Sequence, residues 1–284
     1  MAAIKRIAAA LILLVPSSVH GERVYFNDTG IHVIEQDYEN HNIFVLDGTY
    51  LTLDGGHSIT APSSSDDGED AIRVEDASFN ATRGKIYGGL GVGGSGVTIS
   101  TTRDSIYPST AIFEAGVEIF GGDATRERTT KGGDAVQVLQ SGSKAIFNGG
   151  RFVPGTGCDI RVCGTATADG VAVQVIEGEA IIRGGTFEGV LYNYGGNIEL
   201  YGCVEYDVDM GKITGTLLDG SNVDVIYDDA GRSKPPSIVY QPEVCQQTAS
   251  ASGEDTPENN GGGTPGNGSQ MSAVALFGLY VALL

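Results

Sequence analysis

The chain has 284 residues, with 36 acidic against 17 basic side chains and a formal net charge of −19. Such a field repels polyphosphates, which argues against nucleic acid and anionic bilayers as partners and favours solubility and divalent cations. With no Trp, three Met and 43 Gly, the composition points to a turn-rich all-β body.

The first element is a leader. Lys5 and Arg6 precede an apolar run from Ile7 to Val15, and Val19-His20-Gly21 places a β-branched residue at −3 and glycine at −1. This is the layout of a secretory signal peptide, so residues 1–21 are expected to be removed. The next stretch, Val24 to Asn40, is expected to cover the first repeat. The sequons Asn27-Asp28-Thr29 and Asn80-Ala81-Thr82 make Asn27 and Asn80 candidate glycan sites.

A degenerate repeat follows. The segments starting at Asp70, Asp134 and Val171 read alike, and those at Tyr50 and Gly116 share their second half. Placing Gly56, Gly84, Gly122, Gly150 and Gly185 in register stacks the apolar residues. One column is Leu51, Val117, Ala145 and Ala180, and the next is Leu53, Ile119, Phe147 and Ile182. Others are Ile86, Phe152 and Phe187, then Ile72, Val136 and Val173. Alternation with a period of two puts these on one face of short strands. Arg73, Gln137 and Gln174 fall between them as an outward ladder. Such a unit buries its apolar side only by stacking on its neighbours. The run from Gly88 to Gly94 reads as a flexible loop between repeats, since no Lys-Ser/Thr follows to make a phosphate loop.

Candidate sites are sparse. Ser65 to Asp70 is an acidic turn with a central glycine, which makes Asp66, Asp67, Glu69 and Asp70 weak candidates for Ca²⁺. His32, His41 and His57 cluster near the first repeat without metal-site spacing. Lys85 and Arg151 follow equivalent corner glycines, and Arg183 precedes one, so the three are candidate contacts for an anionic glycan. The four cysteines suggest two disulfides, with three possible pairings. Cys158 and Cys163 bracket a short loop, which makes a local bridge natural and leaves Cys203 and Cys245 to staple the C-terminal segment.

Residues 22–245 therefore read as one domain. From Gln246 to Asn260 the composition becomes that of a flexible stalk. Residues 261–284 have a polar spacer and an uncharged apolar tail behind small residues, the pattern of a glycosylphosphatidylinositol (GPI) attachment signal with Asn260 as the lipid-bearing residue. Loss of both ends, which carry Lys5 and Arg6, makes the net charge −21.

The columns and Gly corners, returning in one order, resemble the right-handed parallel β-helix, the pectin-lyase-like fold, from about Ile31 to Asp229. The segment from Gly211 resembles the closing segments that follow such repeats in surface proteins. A β-sandwich also alternates in this way, but it does not explain columns recurring in order. The resemblance implies a polysaccharide lyase or glycoside hydrolase as one possible function. A lyase needs a cation and a base, and hydrolysis needs carboxylates facing one groove. The hydrolase series of N-T-D, D-D, H-G and R-I-K is missing, as is the basic pair that pectate lyases carry on adjacent coils. The expectation is thus a non-catalytic, GPI-anchored module on the outer leaflet of the plasma membrane. Its expected partners are extracellular glycans or surface proteins, and its expected role is adhesion or matrix or wall building.

Overall fold

The computed structural model describes residues 21–63, 69–91, 93–124, 131–158 and 168–245. The expected leader up to His20, the stalk and the lipid-attachment segment lie outside them. The strands of the described residues belong to one mostly parallel sheet of nineteen, unlike the antiparallel sheet pair of a sandwich.

Three parallel ladders build this sheet. Ladder A joins β1 (Glu22–Phe26), β4 (His41–Leu46), β7 (Ile72–Glu75), β9 (Val97–Ser100), β11 (Val136–Val138), β13 (Val173–Val175) and β15 (Val190–Asn193). Ladder B joins β2 (Ile31–Ile34) and β5 (Tyr50–Leu53). It continues through the first halves of β8 (Ser78–Tyr87), β10 (Thr110–Phe120), β12 (Lys144–Val153), β14 (Glu179–Phe187) and β16 (Asn197–Asp207). Ladder C joins β3 (Tyr38–Glu39), β6 (Ser58–Thr60) and the second halves of β8, β10, β12 and β14. The chain visits A, B and C in turn and then begins again at A.

The expected columns are present with members added. Ile72, Val136 and Val173 align in ladder A, and Val97 stands between the first two. Thr98 likewise interrupts the outward ladder of Arg73, Gln137 and Gln174. Two assignments change. Ile119 aligns with Ile86 and Phe152 rather than with Leu53, and Val117 lies opposite Gly84. The cause is β10, whose register slips between Phe113 and Gly116, so the corner is absorbed inside one strand. Residues 22–40 are also not a separate cover, because β1, β2 and β3 form a full circuit of the ladders.

The core lies between the ladders. Phe79, Phe113, Phe147 and Phe152 are fully buried. Phe113, Phe147 and Phe152 form its centre, with the Phe147 ring centroid 5.2 Å from Phe113, 4.8 Å from Phe152 and 5.5 Å from Phe187. Such edge-on and tilted contacts add about 0.5–1.5 kcal/mol per pair beyond area burial.

Glycine does two separate jobs. At the bend from ladder B to ladder C, Gly56, Gly84, Gly150 and Gly185 have positive φ, as the corner reading requires. Gly122 belongs elsewhere. It is part of a column in which each amide donates to the carbonyl before it: Gly94 to Gly89, Gly122 to Gly94, Gly133 to Gly122, Gly155 to Gly133 and Gly170 to Gly155, all at 2.8–2.9 Å. A Cβ on Gly122 would sit 1.9 Å from the Gly89 carbonyl oxygen. Gly88, Gly89 and Gly94 are therefore a buried backbone contact, not a flexible loop.

The C-terminal segment changes direction. β16 pairs antiparallel with β17 (Lys212–Leu217), which pairs antiparallel with β18 (Asn222–Asp228). β18 rejoins ladder A beside β15, and β19 (Ser237–Tyr240) lies parallel to β16. The Cys203–Cys245 disulfide ties residue 245 to β16 with a Cα–Cα distance of 5.0 Å. Cys158 is also disulfide-bonded, and Cys163 lies outside the described residues.

Candidate functional site

The outward face of ladder C gathers the chemistry. Strand alternation turns Ile86, Ile119 and Phe152 inward, so their neighbours must point out. Lys85, Glu118 and Arg151 then occupy one register position on successive strands. Lys85 Nζ lies 3.1 Å from Glu118 Oε1. Arg151 reaches Glu118 at 3.9 Å and Glu188 at 2.6 Å, with its Nε also donating to Glu188. Two cations and two carboxylates thus compensate each other. Hydrogen bonding and attraction from Glu118 hold the Lys85 ammonium above its ordinary pKa.

Beside this row lies an aromatic one. Tyr87 and Phe120 are paired in register, with centroids 4.8 Å apart and planes inclined by only 7°. The Arg151 guanidinium lies 5.8 Å from the Phe120 centroid. The sequence reading found Lys85 and Arg151 but not Glu118, Glu188 or the ring pair. The signal was present, since Tyr87 follows Ile86 as Phe120 follows Ile119. It was hidden by the misplaced Gly116 segment.

The other candidates lie apart. Arg183 is on β14, where its guanidinium stands 5.4 Å from the Tyr201 centroid on β16. Glu69 faces Arg23 at 4.0 Å. Asp70 is half-buried and accepts from the Ser95 amide. Desolvation pushes its carboxyl up; the nearby Thr98 hydroxyl opposes this without meeting hydrogen-bond geometry. Asp134 does the same job two circuits on, accepting from the Val171 amide at 2.8 Å. Asp66 and Asp67 lie outside the described residues.

The histidines are dispersed in separate pairs. His32 meets Asp28 at 2.6 Å, His41 meets Glu22 at 3.1 Å, and His57 meets Asp37 at 3.7 Å. The hydrogen bond from His32 holds the Asp28 carboxyl below its usual range. No group of three or more metal-ligating side chains occurs among the described residues. Of the sequons, Asn27 is exposed in the turn after β1. Asn80 sits inside β8, with its Oδ1 buried and unpaired.

Comparison with known protein families, with characterised proteins and with solved structures finds no match to this chain.

Proposed function

We propose that the chain is a non-catalytic surface module, a right-handed parallel β-helix that binds glycans on the outward face of ladder C. In this reading residues 1–21 direct secretion, a GPI anchor on Asn260 holds the domain on the outer leaflet, and the role is adhesion or matrix or wall assembly. The β-helix part is supported by the fixed A, B, C order, and right-handedness by the strong preference of parallel crossovers for that hand.

The glycan part rests on one observation, the stacked Tyr87–Phe120 pair beside a neutralised row of Lys85, Glu118, Arg151 and Glu188. Flat rings offer an apolar surface, and the flanking ion pairs offer both donors and acceptors to hydroxyls. Both carboxylates are engaged by cations, which favours binding over acid–base chemistry. The positions repeat at the strand spacing of about 4.8 Å, which suits a chain of similar units.

The test incubates the purified protein with neutral and acidic polysaccharides, with and without Ca²⁺, and scores both retention and cleavage products. Retention without cleavage, weakened several-fold by Tyr87→Ala, is expected. Unsaturated or newly reducing oligosaccharides would replace this reading with a lyase or a hydrolase, and absence of both retention and cleavage would overturn the glycan reading. For the anchor, release from membranes by a phosphatidylinositol-specific phospholipase is expected.

A further inference from the structure

Ladder A carries a second outward feature near the start of the chain. Arg23 on β1, Asn42, Ile43 and Phe44 on β4, Glu69 and Asp70 before β7, and Arg73 on β7 line a pocket of about 210 Å³. This is below the roughly 300 Å³ at which pockets for drug-sized ligands begin, so its occupant is small. Register builds it: Arg23 lies beside Asn42, and Phe44 lies between Tyr25 and Arg73. The Phe44 ring is stacked on Tyr25 at 4.9 Å, and Arg23 stands 5.9 Å from its centroid.

The polar groups of the pocket are incompletely used. Asn42 is 3% exposed, and its Nδ2 donates to the Asp70 carbonyl at 2.7 Å, which fixes the amide orientation. Its Oδ1 is buried with no hydrogen-bond partner. A buried acceptor left unpaired costs about 1–3 kcal/mol, so the site gains from a donor. The two guanidinium groups are held only loosely, Arg23 by Glu69 at 4.0 Å and Arg73 by Glu75 at 3.4 Å. Each retains N–H donors for a planar anion. Two arginines around one pocket stand out on a chain of net charge −19.

We propose that this pocket binds a small hydroxycarboxylate, such as an acidic sugar residue. The carboxylate meets Arg23 and Arg73, a hydroxyl donates to Asn42 Oδ1, and the apolar side of the ligand lies on Phe44. A zwitterionic amino acid fits less well. Its ammonium would have to compete with Arg23 for Glu69, the lining carboxylate left to it, because Asn42 is neutral and Asp70 is occupied by the Ser95 amide. The site is separate from the ladder C face and stands or falls independently of it.

The test titrates sodium glucuronate into the full-chain protein by calorimetry and ligand-observed NMR, with lactate, glucose and glycine as companion probes. Saturable glucuronate binding is expected, weakened at least tenfold in Arg73→Gln and in Arg23→Gln and unchanged in Arg103→Gln, an exposed arginine outside the pocket. Glucose is expected not to bind. Lactate matching glucuronate would support the site with a simple hydroxy acid as ligand, and lactate much weaker would support a sugar acid. Both arginines are about half exposed, so the variants are expected to keep the parent unfolding midpoint, which separates lost binding from lost folding. No saturable glucuronate binding, equal binding in the arginine variants, or tighter binding of glycine would overturn the proposal.

Discussion

Between Ile72 and Ile182 each ladder strand has a parallel neighbour on both sides, and its apolar residues meet those of adjacent circuits. Beyond β16 the regular circuits end, and parallel cover comes only from β18 on β15 and β19 on β16. The chain then folds back through β17 and β18 in antiparallel pairing and closes with the Cys203–Cys245 disulfide. The difference shows what a stack of similar units requires. An interior circuit is held by burial on two sides, whereas the covering strands β18 and β19 have a parallel ladder strand on one side only and are tied down by antiparallel pairing and the disulfide.

The comparison can be broken from the middle. Phe147→Ala removes one of the three central rings of the aromatic cluster and should destabilise the domain by about 3–5 kcal/mol. Equilibrium denaturation measures this, and a loss below about 1 kcal/mol would mean that the ring cluster is not what holds the interior circuits.

Breaking the end should act differently. Cys203→Ser removes a closure spanning a sequence separation of 42, and bridges of this kind are worth about 2–4 kcal/mol. Hydrogen exchange should show the loss at β16 and β19, with β8 to β12 still protected. Equal deprotection everywhere would erase the distinction between the two regions.

A third change probes the glycine column. Gly122→Ala forces apart backbones that touch at Gly89, with an expected cost of about 1–3 kcal/mol, as for overpacked interiors. Gly220→Ala serves as the comparison because it has open space around it, although positive φ adds some strain there. A midpoint for Gly122→Ala no lower than that of Gly220→Ala would contradict the close-packing account.

The smallest effect concerns the half-buried Asp70 carboxyl. Its pKa is raised by desolvation, so the folded state binds this proton more tightly than the unfolded state does. That contribution favours folding at acid pH and fades as pH rises through the folded-state value. Asp70→Asn keeps an acceptor for the Ser95 amide and removes the charge. Denaturation midpoints should show its advantage over the parent at pH 7, shrinking towards pH 4. An advantage that grows on acidification would reverse the assigned cause.

Much of this architecture was legible because short strands with a strict period of two leave a strong trace. Ile72, Val136 and Val173 could be stacked from spacing alone. The failures were equally local. Gly122 looks like Gly150 in the sequence, yet one glycine serves close approach and the other positive φ, and a residue letter cannot tell them apart. Lys85 and Arg151 were legible as equivalents, but their partners Glu118 and Glu188 arrive from other circuits, 33 and 37 residues away in the chain.

The amino-acid sequence alone determined the β class, the inward columns of ladder A and the strong negative charge, and it left the cysteine pairing open among three arrangements until the structure joined Cys203 to Cys245. The first three follow from alternation and composition, which act over a few residues at a time. Only the tertiary structure decided which strands are neighbours across loops of unequal length. The partner offset is 18 residues from Val173 to Leu191 but 39 from Val97 to Val136. Loop length costs little free energy, because closure entropy grows only with the logarithm of length. Core packing therefore sets the register, and with it the ion-pair row, the ring pair and the Arg23–Arg73 pocket.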